Sequence, residues 1–233
     1  MLREIVIDTE TTGLDALNGD RLIEIGCVEI INRIPTGREF HVYLNPDREV
    51  NREAAEVHGL STQFLADKPR FKDVAQELLA FLGEAPLVAH NASFDLGFLN
   101  AELARLSQPP LAAERMVDTL LLARRKHPAG PNSLDALCKR YGIDNSARAL
   151  HGALLDSLLL AAVYVELLGE RQATLGFDVS ELGDQPSRGP AKLAAQRPVP
   201  LPPRLTAEEE GAHLRFVKTL GSNPLWLGYL AVT

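Results

Sequence analysis

The amino-acid sequence predicts an α/β fold in which a mixed five-stranded sheet carries helices on its faces. Three closely spaced apolar segments come first, and segments with helical apolar spacing then alternate with short apolar ones. Closely spaced strands favour antiparallel neighbours, whereas strands separated by helices favour parallel ones. The order βββαβαβα therefore indicates a sheet that is antiparallel at first and parallel later.

The predicted elements follow this order along the chain. The first three strands are Glu4 to Asp8, Leu22 to Ile31 and Phe40 to Leu44, which short loops join. The elements expected after them are a helix at Phe71 to Leu82, a strand at Leu87 to His90, a helix at Phe94 to Leu106, a strand at Met116 to Asp118, and helices at Ser133 to Tyr141 and Ala153 to Leu168.

The composition changes after about residue 177. Six of the 15 prolines lie between Gly183 and Leu205, where apolar periodicity is weak, and this is typical of a semi-rigid linker. Beyond it, Thr206 and Glu209 have the spacing of a capping box, which predicts a helix that Gly221 ends. We expect a folded domain over 1–171, a linker segment over 172–205 and a flexible tail with a C-terminal helix over 206–233.

The net charge of −7 comes entirely from residues 1–172, which carry 18 Lys and Arg against 25 Asp and Glu. Such a surface predicts weak affinity for nucleic acid unless cations or a partner protein help. Cys27 and Cys138 have no spacing that suggests a zinc site or a disulfide. The start of the chain lacks the apolar run of a signal peptide, and no apolar run could cross a bilayer. We therefore expect a cytoplasmic protein without a membrane partner.

Acidic residues stand at three places where a predicted strand ends or a helix begins. Asp8 and Glu10 follow an apolar strand and are two residues apart, so both carboxylates project from one face and can reach one cation. Asp95 falls in the first turn of a helix, where it could also simply complement the helix dipole. Asp156 lies in an apolar helix, where a bound metal would compensate its burial, and His151 is expected on the loop before that helix.

These motifs together resemble the DEDDh 3′-to-5′ exonucleases of the ribonuclease H-like fold. Asp8-x-Glu10, then Asp95, then His151 with Asp156 five residues later, occur in the order of that family. Further segments sharpen the resemblance to the proofreading subunits of bacterial DNA polymerase III; these begin at Asp8 (Asp-Thr-Glu-Thr-Thr-Gly), Val57 (Val-His-Gly-Leu), His90 (His-Asn-Ala-Ser-Phe-Asp) and Asn132 (Asn-Ser-Leu-Asp-Ala-Leu-Cys). The resemblance covers about residues 1–170 strongly and the tail loosely.

The resemblance implies a two-metal hydrolysis of DNA from the 3′ end that releases nucleoside monophosphates. Asp8, Glu10 and Asp156 would hold two Mg²⁺ or Mn²⁺ ions, Asp95 would act largely through bound water, and His151 would be the general base.

The same resemblance assigns a second group of residues to the substrate. Glu53 and His58 match positions that contact the terminal nucleotide, and Leu14, beside Thr11 and the Gly13 turn, would wedge its base. Alternatively, Glu53 is an acid on a helix surface and His58 a histidine in a turn, and neither contacts the substrate.

The tail predicts protein partners, because a free-standing nuclease needs neither a linker nor an isolated helix. Gln172, Leu175 and Phe177 resemble a short sliding-clamp-binding peptide, although an ordinary helix exit fits them nearly as well. Trp226 and the terminal helix resemble the segment that binds the catalytic subunit of the replicative polymerase. We therefore expect a DNA 3′ end, the polymerase catalytic subunit and, more weakly, the clamp as partners.

Two other functions are compatible with parts of the sequence. An RNA-trimming exonuclease would share the fold and the metal chemistry, but the tail argues against it. A non-catalytic adaptor between polymerase and clamp would have no use for four acids and a histidine, since an acidic cluster without cations is repulsive.

Overall fold

The computed structural model describes residues 2–148, 150–169 and 206–221. The chain divides into two compact units, Met1–Gly176 and Phe177–Thr233. The strands of the first unit are β1 (Arg3–Thr11), β2 (Leu22–Ile31), β3 (Ile34–Tyr43), β4 (Leu87–Ala89) and β5 (Met116–Asp118). They form one sheet in the order β3-β2-β1-β4-β5. The β1–β2 and β2–β3 pairs are antiparallel, and the β1–β4 and β4–β5 pairs are parallel, so the predicted mixed five-stranded sheet is confirmed.

The described residues of this unit form seven helices between and after the strands, together with a 3₁₀ turn at Ala113–Arg115. The helices are α1 (Arg52–His58), α2 (Thr62–Leu65), α3 (Phe71–Leu82), α4 (Ala92–Arg105), α5 (Thr119–Lys126), α6 (Leu134–Tyr141) and α7 (Ala153–Leu168). The sequence predicted α3, α4, α6 and α7 to within about two residues, but α1, α2 and α5 were missed. The helices α1 and α2 have seven and four residues, too few for a clear apolar period, and the leucines of α5 are consecutive instead of helically spaced.

Two strands also differ from their predicted bounds. β1 continues through Asp8, Thr9 and Glu10 to Thr11 instead of ending at the first acid, because β2 pairs with it along its whole length. β3 begins at Ile34 in place of Phe40, and its first residues are mostly exposed, so they lack the alternation that marks a half-buried strand. The motif Asp8-Thr9-Glu10 is therefore held inside the sheet.

The apolar core has two layers, one on each face of the sheet. Ile5 and Ile7 of β1 belong to the layer that α3 and α4 cover, and Val6 belongs to the layer that α6 and α7 cover. Cys27 and Cys138 are buried and unbonded, as expected for core residues. Since side chains alternate along a strand, Asp8 and Glu10 share the face of Val6, towards α7.

The second unit is described over one helix, α8 (Ala207–Lys218). Its predicted capping box is present, since Glu209 N donates to Thr206 Oγ1 over 3.2 Å and Thr206 N donates to Glu209 Oε2 over 2.8 Å. The helix ends at Lys218, three residues before Gly221, whose positive φ of 112° suits the stop predicted there. Within the described residues, no helix is both long and apolar enough to cross a membrane.

Candidate metal and active site

The acidic residues converge on a cavity of about 280 Å³ at the end of the central strand β1. We call it the acidic cavity. Its lining includes all five residues that the sequence assigned to metal binding and proton transfer, namely Asp8, Glu10, Asp95, His151 and Asp156. They come from β1, α4, α7 and the loop before α7, so the fold assembles the cavity from segments up to about 150 residues apart.

A glycine in β2 brings α7 close to the acids of β1. Gly26 is the register partner of Asp8, and a Cβ atom on it would lie 2.2 Å from the backbone of Ala153 and Leu154. Ser157 Oγ donates to the Gly26 carbonyl over 2.9 Å, which fixes the first turn of α7 on the strand. The absence of a side chain at residue 26 therefore lets α7 present its first-turn acid beside β1.

The Asp95 carboxylate is held by a hydrogen bond from Thr9 of β1. It lies in the first turn of α4 and is 3% exposed, and its Oδ1 accepts a hydrogen bond of 2.8 Å from Thr9 Oγ1. The Asn91 residue that precedes α4 has left-handed backbone angles (φ 72°), and neither it nor Ser93 caps the helix through its side chain.

His151 and Asp156 lie on either side of the start of α7. His151 is on the loop, as predicted, and its Nδ1 is 3.5 Å from Asp156 Oδ2. One ligand atom each from Glu10, His151 and Asp156 lie within 4.8 Å of one another, a spacing that a single metal ion can span. The structure thus permits His151 to act either as a ligand or as a base.

Burial, with some repulsion, raises the pKa values of Asp8, Glu10 and Asp95 in the acidic cavity. Burial raises the pKa of Glu10 to about 8, helped by Glu24 across the strand and by Asp156. Burial also raises the pKa of Asp95 to about 7, and burial with the charge of Asp95 raises the pKa of Asp8 well above its usual range. Such a cluster favours cations. Its oxygen donors suit hard divalent metals, so the residues present fit cations such as Mg²⁺ or Mn²⁺.

The sequence analysis missed a residue that the structure places in the acidic cavity. Arg148 is 6% exposed, and its guanidinium forks onto Asp156, with Nε donating to Oδ1 over 2.5 Å and Nη2 donating to Oδ2 over 2.7 Å. Its Nη1 is 2.7 Å from Oδ2 of Asp135 at the start of α6. These contacts raise the pKa of Arg148, and the hydrogen bonds to Asp156 contribute most. The available signal was that Arg148 is the single Lys or Arg between residues 141 and 170.

A second cavity, of about 550 Å³, adjoins the acidic cavity, and Thr9, Glu10 and Phe94 line both. We call it the α1 cavity, because α1 forms one wall and the loop after β1 the other. All four of the predicted substrate residues outside the acidic cavity lie in its lining, namely Thr11, Leu14, Glu53 and His58. Leu14 is 86% exposed, and Glu53 is exposed on α1.

The loop wall of the α1 cavity is tightly built. Asn51 N donates to the carbonyl of Thr12 over 3.0 Å, and Thr12 Oγ1 donates to Asp20 Oδ1 over 3.1 Å. A Cβ atom on Gly13 would lie 2.3 Å from both Asn51 Nδ2 and Asp20 Oδ2. Only glycine therefore fits at residue 13, and the loop that carries Leu14 is held against the start of α1.

His58 has a defined donor in the α1 cavity. Its Nδ1 accepts a hydrogen bond of 3.0 Å from the backbone N of Leu60, so in the neutral ring Nε2 carries the proton. Among the described residues, buried Nε2 has no hydrogen-bond partner. Burial lowers the pKa of His58, which favours this neutral form. The Thr11 backbone lies close enough to act on the ring, and Nε2–H, which makes no full hydrogen bond within the described residues, is the group of His58 that a ligand can accept from.

The remaining predicted site residues lie outside the described residues. They are Gln172, Leu175 and Phe177 of the clamp-binding-like segment and Trp226 of the polymerase-binding tail.

Comparison with known proteins decides the family. A family model described as "Exonuclease" matches residues 5–164, which is more than half of the chain and includes every acid of the acidic cavity. The chain belongs to the exonuclease family. The sequence-based prediction that it is an exonuclease enzyme is thereby confirmed.

Curated relatives place this exonuclease more narrowly. It is 51% identical to the DNA polymerase III subunit epsilon of Rickettsia prowazekii, over 74% of this chain and 77% of the relative. It is 44% identical to the protein of that name from Escherichia coli K12, over 96% of this chain and 97% of the relative. The predicted resemblance to proofreading subunits of bacterial DNA polymerase III is confirmed, and the second match extends through the tail.

Solved structures agree with the family and the fold. Exonuclease X in complex with 5′ overhanging duplex DNA is 30% identical to this exonuclease, with a TM-score of 0.55 over 73% of this chain and 92% of that one. The E. coli exonuclease I–single-stranded DNA complex, in its zinc-bound form, is 19% identical with a TM-score of 0.64 over 74% of this chain and 41% of that one. The second likeness supports the fold alone.

Proposed function

We propose that this exonuclease hydrolyses DNA from its 3′ end, releases nucleoside monophosphates and proofreads for a replicative DNA polymerase. The observation that carries the proposal is the convergence of Asp8, Glu10, Asp95 and Asp156 with His151 in one cavity that opens onto a second. The first cavity has the donors for phosphodiester hydrolysis. The second has a size and a lining suited to a terminal nucleotide.

The proposed cofactor is a pair of divalent cations, Mg²⁺ or Mn²⁺. Asp8, Glu10 and Asp156 would hold the ions directly, and Asp95, whose Oδ1 accepts from Thr9, would act largely through bound water, as the family resemblance implies. When bound, such ions supply Lewis-acid activation of the phosphate and stabilise charge on the attacking and leaving oxygens. The raised pKa values of Asp8, Glu10 and Asp95 support this assignment, because bound cations would compensate the burial, and with it the repulsion, that raises them.

We assign His151 the role of general base. Its side chain is 46% exposed and lies at the rim of the acidic cavity, whereas Asp156 is buried. A water molecule can therefore reach the imidazole and the acids together. Imidazole is the commonest general base of enzymes that work near neutral pH, and such catalysis contributes about 10²–10⁴-fold to the rate.

The α1 cavity would bind the last nucleotide of the strand. The Glu53 carboxylate would accept a hydrogen bond from the 3′-hydroxyl, and the unpaired Nε2–H of His58 would donate to the substrate. Exposed Leu14 would wedge the terminal base, and Thr11 lies beside it on the same wall. An internal nucleotide has no free 3′-hydroxyl, so it could not make the contact with Glu53. This difference accounts for recognition of a free 3′ terminus.

The partners would be the catalytic subunit of the polymerase and, more weakly, the sliding clamp. The names of the relatives support the polymerase partner, and a cytoplasmic location follows from that role. Residues 206–233, with Trp226, would bind the polymerase. Within the linker segment over 172–205, the residues that would bind the clamp are Gln172, Leu175 and Phe177. Such a tether raises the local concentration of the nuclease to roughly millimolar near a primer end.

The function is tested with 5′-labelled single-stranded DNA and RNA of the same sequence. We expect stepwise shortening of the DNA from its 3′ end, loss of all cleavage in excess chelator, and recovery with Mg²⁺ or Mn²⁺. Preference for the RNA would favour the RNA-trimming alternative. Failure to cleave either strand with metal present would favour the non-catalytic adaptor.

The tether is tested separately with a chain that ends near residue 171. We expect it to cleave short single strands as the full chain does but not to co-elute with the polymerase catalytic subunit in size-exclusion chromatography. Co-elution of the shortened chain would place the contact on the nuclease domain and contradict the tether.

A further inference from the structure

The environment of Arg148 is unusual for an arginine in an enzyme that binds cations. It is the only Lys or Arg among the described residues that line the acidic cavity, where it faces Asp8, Glu10, Asp95 and Asp156. A buried positive charge beside a cation site opposes the binding of the cation. Its presence therefore calls for a function that outweighs this repulsion.

The Arg148 side chain connects the start of α6, the start of α7 and the loop between them. Its fork binds Asp156 at the start of α7, its Nη1 binds Asp135 at the start of α6, and its Nη2 lies 2.8 Å from Nδ1 of His151. Asn145 strengthens the outer end, since its Nδ2 donates to Asp135 Oδ1 over 2.9 Å. The loop between α6 and α7 is thus tied to both helices by one guanidinium.

The fork also compensates Asp156, which is 2% exposed. Removing one partner of a buried ion pair leaves an uncompensated charge, which destabilises a fold strongly. Because each oxygen of a carboxylate has more than one acceptor site, Asp156 can accept from Arg148 and still offer a lone pair to a metal. The charge of Arg148 remains near any such metal and weakens its binding.

We propose that Arg148 is a positioning residue that presents His151 and Asp156 to the acidic cavity as one unit, at the expense of metal affinity. The proposal rests on the metal-dependent function above. Arg148 stabilises the site before metal binds, holds His151 beside the acids, and sets a threshold for the divalent ion. Because a guanidinium only donates, Nδ1 of His151 accepts from Nη2, and this contact opens when the ring takes a proton from water. Two effects of opposite sign follow when it is removed: the metal binds more tightly, while turnover falls because the loop that carries His151 is released.

The test compares Arg148→Gln with Arg125→Gln, which removes the same charge from an exposed position on α5 outside both cavities. Mn²⁺ and Mg²⁺ binding to the full chain is measured by calorimetry, with melting temperatures in chelator and in metal. For Arg148→Gln we expect roughly tenfold tighter metal binding, since a nearby charge is removed. We also expect a lower melting temperature in chelator, a larger rise on adding metal, and a reduced kcat. Arg125→Gln should match the wild type throughout.

A merely structural role would weaken metal binding and activity together, so metal binding in Arg148→Gln that is unchanged or weaker overturns the proposal. Arg148→Lys decides the matter if the glutamine variant does not fold. Lysine keeps the charge but cannot bind Asp135, Asp156 and His151 at once, so we expect near-normal metal affinity with reduced kcat, and normal kcat would overturn the proposal. A wild-type chain that binds no divalent ion would instead overturn the proposed function.

Discussion

The two cavities of this exonuclease adjoin each other but are built in different ways. The acidic cavity draws its residues from β1, α4, the loop before α7 and α7, so its chemistry depends on the whole sheet being assembled. The α1 cavity is formed almost entirely by two short segments, residues 9–20 and 51–58, with Phe94 between the cavities. The acidic cavity therefore depends on the assembled tertiary fold, whereas the α1 cavity depends mainly on two segments of the N-terminal quarter of the chain.

Their electrostatics differ in the same sense. The acidic cavity crowds carboxyls, burial and repulsion raise the pKa values of Asp8 and Glu10, and among the described lining residues a single guanidinium opposes them. In the α1 cavity, burial lowers the pKa of His58, and Glu53 is exposed. Substitutions in the acidic cavity should therefore change the chemical step and the pH dependence, whereas substitutions in the α1 cavity should change substrate binding.

The largest expected effect is in the acidic cavity. Asp8→Asn should lower kcat by about 10³-fold or more, because a neutral amide cannot hold the cations on which the reaction depends. The fold should not be weakened, since the substitution removes one of several mutually repelling charges. Activity assays and melting curves check both points, with the exposed Asp67→Asn as the matched control. A melting temperature far below the wild type would identify Asp8 as a structural acid.

A smaller effect is expected at the rim of the acidic cavity. His151→Gln should slow turnover by about 10²–10⁴-fold, the usual contribution of a general base. Metal binding measured by calorimetry should be nearly unchanged. If metal binding weakens sharply instead, His151 is a ligand together with Glu10 and Asp156, as the spacing of their ligand atoms permits.

Substitutions in the α1 cavity should change KM more than kcat. Glu53→Gln should raise KM about tenfold with a smaller change in kcat, because it weakens a charged hydrogen bond to the substrate hydroxyl. Glu56→Gln is the control on the same helix, since Glu56 pairs with Arg52 and does not line the cavity. An equal loss of kcat and kcat/KM would show that the two cavities act as one unit in the chemical step.

The smallest expected effect concerns stability against pH. The folded pKa of Glu10, about 8, exceeds its usual value of 4.5, so the folded chain binds more protons than the unfolded chain between these values. The stability contributed by this group therefore falls as pH rises from about 4.5 to about 8. In chelator, Glu10→Gln should melt a few degrees above the wild type at pH 8 and lose this advantage near pH 4. Melting curves across this range check the sign, and saturating Mg²⁺ should reduce the difference.

The sequence by itself determined the order of strands and long helices, because their apolar periods and caps are local properties. α3 and α7 begin and end where those patterns predicted, and the Thr206–Glu209 capping box is present. Three motifs and their family resemblance predicted Asp8, Glu10, Asp95, His151 and Asp156 as site residues, and the structure places them in one cavity. The helices α1, α2 and α5 were not predicted, since α1 and α2 are too short for a clear period and the leucines of α5 are consecutive.

The tertiary structure alone decided how the site is held together. Gly26 has no signal in the sequence, yet its missing side chain lets α7 approach β1. The part of Arg148 is equally hidden, because its partners Asp135 and Asp156 are set by the packing of α6 and α7. The unpaired Nε2–H of His58 depends on a backbone turn that fixes the tautomer. Local patterns determine which groups are available, whereas distances between groups far apart in sequence exist only once the sheet and helices have packed.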